Sequence, residues 1–151
     1  MLHELWQRAE HLLDPFPSHR FLVEIHGLLV AGFSEVSGLS VQTDYEEYAE
    51  GGVNDYVHRF PARTRHEPIV LKRGVTMSSV LWDWYADVVS GKVVRRDGSI
   101  ILFNNRLWEF RRWNFYEAFP VKWVGPALDA SRSEVAVESI ELVHNGLKLV
   151  W

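Results

Sequence analysis

Phe21-Leu22-Val23-Glu24-Ile25-His26-Gly27 places Phe21, Val23 and Ile25 on one face and Leu22, Glu24 and His26 on the other before glycine turns the chain. A period of two is the pattern of a half-buried β-strand. The next stretch, Leu28 to Val36, is apolar on both faces and carries Gly32. It predicts the return strand of a hairpin, lying centrally, with its glycine marking a bulge or a close backbone approach. Val41 to Glu50 alternates again, setting Val41, Thr43 and Tyr45 opposite Gln42, Asp44 and Glu46. Gly51-Gly52-Val53-Asn54-Asp55 reads as a turn tip. Tyr56 to Phe60 is expected to run back until Pro61 stops it, leaving residues 62–67 as a loop. Both arms are poor in aliphatics, so this hairpin is expected to project from the body.

Further strands are expected at Ile69 to Val75, Ser99 to Phe103, Arg106 to Tyr116, Ala118 to Val124 and Glu134 to His144, with a turn at Asn104-Asn105. In the last of these, Val135 and Val137 hold one parity and Ile140 and Leu142 the other, which suggests a bulge or a strand covered on both sides. Between the strands lies one helix over residues 79–89, capped by Thr76 or Ser78 and closed by Gly91. Leu81, Trp84, Tyr85 and Val88 make one apolar stripe, and Trp82, Ala86 and Val89 a second beside it. Together they cover roughly 200° of arc, about twice what packing on one sheet requires. Loops or another subunit must bury the second stripe, and a subunit is the expectation. Upstream, Leu2, Leu5, Trp6, Ala9, Leu12 and Leu13 form the apolar face of a short N-terminal helix that ends before Pro15 and Pro17. That face either caps the core or docks on a partner. The fold class is therefore mainly β, a sandwich or barrel with one flanking mid-chain helix, divided into residues 1–18 and 19–151.

With 151 residues, 47% hydrophobic and 24% charged, the chain has the composition of one ordinary globular domain. The absence of cysteine removes disulfide scaffolds, thiolate nucleophiles and CxxC redox motifs. A net charge of −4 argues against specific nucleic-acid binding. The longest apolar run, Leu28 to Phe33, falls far short of the ~20 residues of a bilayer span. The first residues lack the pattern of a secretory signal, so no membrane anchor is expected. The seven histidines contain no HExxH pair, and GxSxG, P-loop and GxGxxG motifs are missing. Carboxylate pairs such as Glu46/Glu47 and Asp83/Asp87 read as solvated charges. No catalytic residue, metal or cofactor is expected. Seven tryptophans raise a different class, a monomeric sandwich that binds a ligand on exposed rings. Trp108, Trp113 and Trp123 lie among core-like strand residues, however, and Trp82 and Trp84 on the helix stripes, which favours core or subunit contact.

Several blocks carry a resemblance. Phe21 to Leu39, Glu47-Tyr48-Ala49-Glu50-Gly51-Gly52, Leu71-Lys72-Arg73-Gly74-Val75-Thr76 and Leu81-Trp82-Asp83-Trp84-Tyr85 come first. Asp97 to Leu102, Trp113 to Pro126 and Glu134 to His144 follow in order. Together they resemble the Hcp-like tail tube proteins of contractile phage tails and contractile injection systems. The resemblance implies hexameric rings stacked into a hollow tube inside a contractile sheath, joined to baseplate and spike proteins, with protein cargo or phage DNA in the lumen. Under it Leu81, Trp82, Trp84, Tyr85, Val88 and Val89 would sit at the boundary between subunits of a ring. Glu47, Tyr48, Glu50, Gly51, Gly52, Asn54, Asp55 and Tyr56 would touch the next ring. Gln42, Asp44 and Glu46 would face the lumen or that ring. The N-terminal helix departs from the ordinary tube subunit, which leaves two placements: the repeating subunit, or a specialised ring joining tube to spike or baseplate. Assembly in the cytoplasm, with release by lysis, is the corresponding expectation.

Overall fold

The computed structural model describes residues 20–28, 30, 32–49, 51–52 and 56–151. The expected helix over residues 2–13, with Leu2, Leu5, Trp6, Ala9, Leu12 and Leu13, lies outside the described residues, as do Glu50, Asn54 and Asp55. Along the described chain run β1 (Phe21–Ile25), β2 (Phe33–Ser37), β3 (Val41–Tyr48), β4 (His58–His66), β5 (Ile69–Gly74), α1 (Val80–Val89), β6 (Arg96–Phe103), β7 (Glu109–Val124), β8 (Val137–Val143) and β9 (Gly146–Leu149). The fold is mainly β and antiparallel, with one flanking helix among the described residues, as expected.

Seven strands follow the order β1-β6-β7-β8-β5-β2, with β9 on the other edge of β7. The sixteen-residue β7 belongs to both halves of this arrangement. Its first part pairs with β6 and β9, and Phe119 to Val124 pairs with β8. The changeover sits at Glu117, whose φ of 56° is in the left-handed region. Asp97 and Arg95 hold that kink: Asp97 Oδ1 accepts from the Glu117 amide at 2.9 Å, and Arg95 donates to the Glu117 carbonyl at 3.4 Å.

Alternation along each strand fills the space between the halves. Val23 and Ile25 of β1, Ile100 of β6, Phe115 and Ala118 of β7, Ile69 and Leu71 of β5, and Ile140 and Leu142 of β8 form one buried cluster. Each such aliphatic contributes roughly 1.5–3 kcal/mol by leaving water. The helix α1 packs across β7 and adds Leu81 and Trp84 to this cluster. Gly98 is a close-approach position, because a Cβ there would collide with the Phe115 ring and the Glu24 carbonyl.

Three sequence expectations change. The hairpin of β1 with residues 28–36 reduces to one bridge, Ile25 to Leu28. Strand β1 pairs with β6 and β2 with β5, so the chain crosses between the halves after Gly27, and β2 ends its sheet instead of lying centrally. Pro61 does not stop β4, which runs through residues 62–66, also expected as loop. A two-stranded ribbon tolerates proline, and the pairing shifts register beside it, between Thr43 and Tyr45. The mixed parity before Ile140 is neither a bulge nor a two-sided strand: Glu138 occupies the inward position and Val137 points out.

Candidate assembly surfaces

Helix α1 is built from both ends by local chemistry. The N-cap is Ser79, whose hydroxyl donates to Asp83 Oδ2 at 2.9 Å and makes no capping bond to an amide; neither Thr76 nor Ser78 is the cap, although the Val80 amide donates to Ser78 Oγ at 3.4 Å. At the far end Gly91 adopts φ 94°, its amide donates to the Val88 carbonyl, and the Lys92 amide donates to the Asp87 carbonyl. This paired closure is the Schellman arrangement, which needs glycine at its left-handed position.

The two apolar stripes of α1 have different fates. Leu81 and Trp84 are sealed in the protomer's own core, 0% and 2% exposed, and Trp84 Nε1 donates to the Val94 carbonyl at 2.9 Å. They present no surface to a neighbour, which corrects their place in the expected ring boundary. Tyr85 and Val88 are half-buried. Trp82 remains 45% exposed and Val89 71% exposed. Among the described residues, no loop covers the second stripe.

Trp82 rests edge-on against Trp123 of β7, ring centroids 4.8 Å apart. Trp123 Nε1 donates in turn to Glu138 Oε2 at 3.2 Å, and Glu138 Oε1 accepts from Arg73 Nε at 2.6 Å. Arg73 and Glu138 are both buried, and Arg73 also donates to the Ser78 carbonyl just before the helix at 3.3 Å. An ion pair this deep survives because each partner is neutralised and hydrogen-bonded by the other. It joins β5, β8, β7 and the start of α1 behind the exposed indole. Sequence reading missed this network, since Arg73 and Glu138 sit at positions an alternating pattern assigns to apolar residues. The only signal was the broken parity before Ile140.

The second surface is the β3–β4 ribbon, a separate two-stranded sheet with no fully buried residue. It projects as expected. β3 carries Asp44, Glu46 and Glu47 and no basic residue, whereas β4 carries Arg59, Arg63 and Arg65 and no acid. Arg65 pairs with Asp44 at 2.6 Å and Arg59 with Glu47 at 3.4 Å, while Arg59 also covers the Tyr45 ring at 5.7 Å. Register puts Gln42, Asp44, Glu46 and Tyr48 on the same face as Arg65, Phe60 and His58. There the rings of Tyr56, His58 and Phe60 follow one another at 5.1 and 6.3 Å. Tyr48, Gly51, Gly52 and Tyr56 near the tip are exposed.

Elsewhere, Trp108 is 69% exposed on the β6–β7 turn, against the expectation of a core residue; Asn104 takes the Arg106 and Trp108 amides and turns the indole outward. Open pockets of about 130 Å³ at residues 127–136 and about 250 Å³ beside His66 are smaller than the ~300–1,000 Å³ usual for small-molecule sites. Among the described residues no group of three or more His, Asp or Glu could hold a metal, and no helix is long and apolar enough to cross a membrane.

Residues 17–148 match the family described as T4-like virus tail tube protein gp19. A chain of the extracellular contractile injection system PVC sheath-tube complex is 28% identical, with 94% of this chain and 95% of that chain covered and a TM-score of 0.83. A chain of the anti-feeding prophage baseplate is 27% identical over 91% and 96%, with a TM-score of 0.81. Hcp1 from Flavobacterium johnsoniae, 17% identical over 85% and 94%, shares the fold with a TM-score of 0.50. No curated protein sequence matches.

Proposed function

Because this chain belongs to the T4-like virus tail tube protein family and is a tail tube protein of contractile injection systems, we propose that six copies close into a ring and that rings stack into a hollow conduit. The family is a structural one, and the work assigned to the chain is assembly. The observation that carries the reading is the uncovered stripe of α1. Trp82 and Val89 are too exposed for a finished protomer surface, and Tyr85 and Val88 extend the same patch. A heterologous contact through this patch, repeated by rotation, closes a ring.

The ribbon supplies the ring-to-ring contact. Its aromatic and charged tip, including Glu47, Tyr48 and Tyr56, stands clear of the protomer and reaches a copy above or below. Gln42, Asp44 and Glu46 share one face of the ribbon and line the lumen, past which protein cargo or DNA moves. A contractile sheath surrounds the conduit and a baseplate ends it. The chain is read as the repeating subunit, assembled in the cytoplasm and released with the particle.

Val89→Asp tests the reading. Native mass spectrometry should show the wild-type chain in ring-sized species and the variant as folded monomer. Rings that survive the substitution count against it.

A further inference from the structure

Among the described residues the ribbon's contacts with the body lie near its root. Neither arm packs extensively on another strand or on the helix. Its angle is therefore set by the few residues that enter and leave it. Two contacts hold that root. Gly38, at φ 89°, lies so close to the Pro68 carbonyl that a Cβ would collide with it. His66, the last residue of β4, places its ring 5.1 Å from that of His144, which follows β8.

The histidine contact is arranged for uncharged rings. His144 Nδ1 donates to the Gly146 carbonyl at 3.0 Å, so the lone pair of the neutral ring sits on Nε2. That nitrogen and His66 Nδ1 are both buried without a hydrogen-bond partner. A proton on His144 Nε2 enters a buried site beside the His66 ring, with only the Glu67 carbonyl to receive it.

Arg65 and Glu67, with Gln42 and Pro68, line the open pocket beside His66, and Arg65 is already paired with Asp44. On the other side the turn after His144 contributes uncharged Asn145 and Gly146, while β7 sets Tyr116 and Phe119 against this turn and the end of β8. Strand β5 begins with Ile69, paired with Leu142.

The geometry points to an acid-released latch: with the His144 ring neutral, it packs on His66 and holds the ribbon on the β8–β9 turn, and a proton on His144 parts the two rings and frees the ribbon's angle. Burial, and then His66, hold the His144 imidazole below its ordinary range, against the carbonyls of Gly146 and Glu67. A histidine lowered on folding stabilises the contact fully above its unfolded value of about 6.5. That contribution is lost as pH falls below this value toward the folded one. The latch is internal to the protomer, so it stands or falls separately from the tube reading.

Hydrogen exchange of the full chain at about pH 7.5 and about pH 5.5, corrected for intrinsic rates, tests it. Protection across residues 64–68 and 142–147 should drop several-fold on acidification while β6 and the first part of β7 hold, and His144→Phe should abolish the drop. A uniform loss across the chain, or a drop that persists in His144→Phe, overturns the proposal. Should that variant fail to fold, two measurements decide. His66→Gln should reduce the acid step, and NMR titration of the wild-type His144 ring should give a midpoint below about 6.5. An unchanged step, or a midpoint at or above that value, refutes the latch.

Discussion

The guanidinium of Arg73 donates from Nε to Glu138 at 2.6 Å in a place where both side chains are sealed from water. Removing one partner strands the other. Glu138→Ala should therefore cost about 3–5 kcal/mol in denaturant unfolding, far more than truncating a surface carboxylate. Replacing both, as Arg73→Met with Glu138→Leu, should recover most of that loss. A double variant no more stable than Glu138→Ala would show that the pair does more than neutralise itself.

Two positions at opposite ends of α1 should separate folding from assembly. Leu81→Ala opens a hole in the protomer core and should lower stability by about 2–5 kcal/mol. Val89→Asp changes a residue already in water and should shift monomer stability by no more than about 0.5 kcal/mol, while ring formation fails. Thermal melts beside sedimentation of the same samples distinguish the two.

A side chain at Gly98 would run into both the Phe115 ring and the Glu24 carbonyl. Gly98→Ala forces a methyl into that contact and should cost about 1–3 kcal/mol through displacement of a core aromatic. A melting temperature equal to wild type would mean that β1 and Phe115 yield without strain.

Shortening the turn around Gly51 and Gly52 should leave single rings intact and block their stacking. Negative-stain microscopy checks this, and tubes of ordinary length would remove the ribbon tip from the ring-to-ring contact.

What the sequence made legible was local. Phe21 to Ile25 announces itself by alternation, and α1 by its stripes and by Gly91. The projecting ribbon follows from arms without aliphatics. Pairing was not legible, because β1 and β2 are consecutive in the chain yet lie in different halves, and nothing in Leu28 to Gly32 states which partner each will take. Pro61 hid half of β4, since proline is excluded only where its missing amide is needed. Short β9 lacks the length for a periodic signal. On the candidate surface, the two stripes of α1 were legible from their spacing, though the sequence did not say what covers the second. Leu81 and Trp84 turn inward under β7, while Trp82 and Val89 stay exposed.

The passage of β7 through both halves has a mechanical corollary. Two sheets that meet only by side-chain contact can slip when pushed lengthwise. Here slippage would have to stretch covalent backbone across the kink at Glu117, where Asp97 and Arg95 grip the chain. In the proposed tube, this continuous strand would let each protomer bear lengthwise load without its two halves sliding apart.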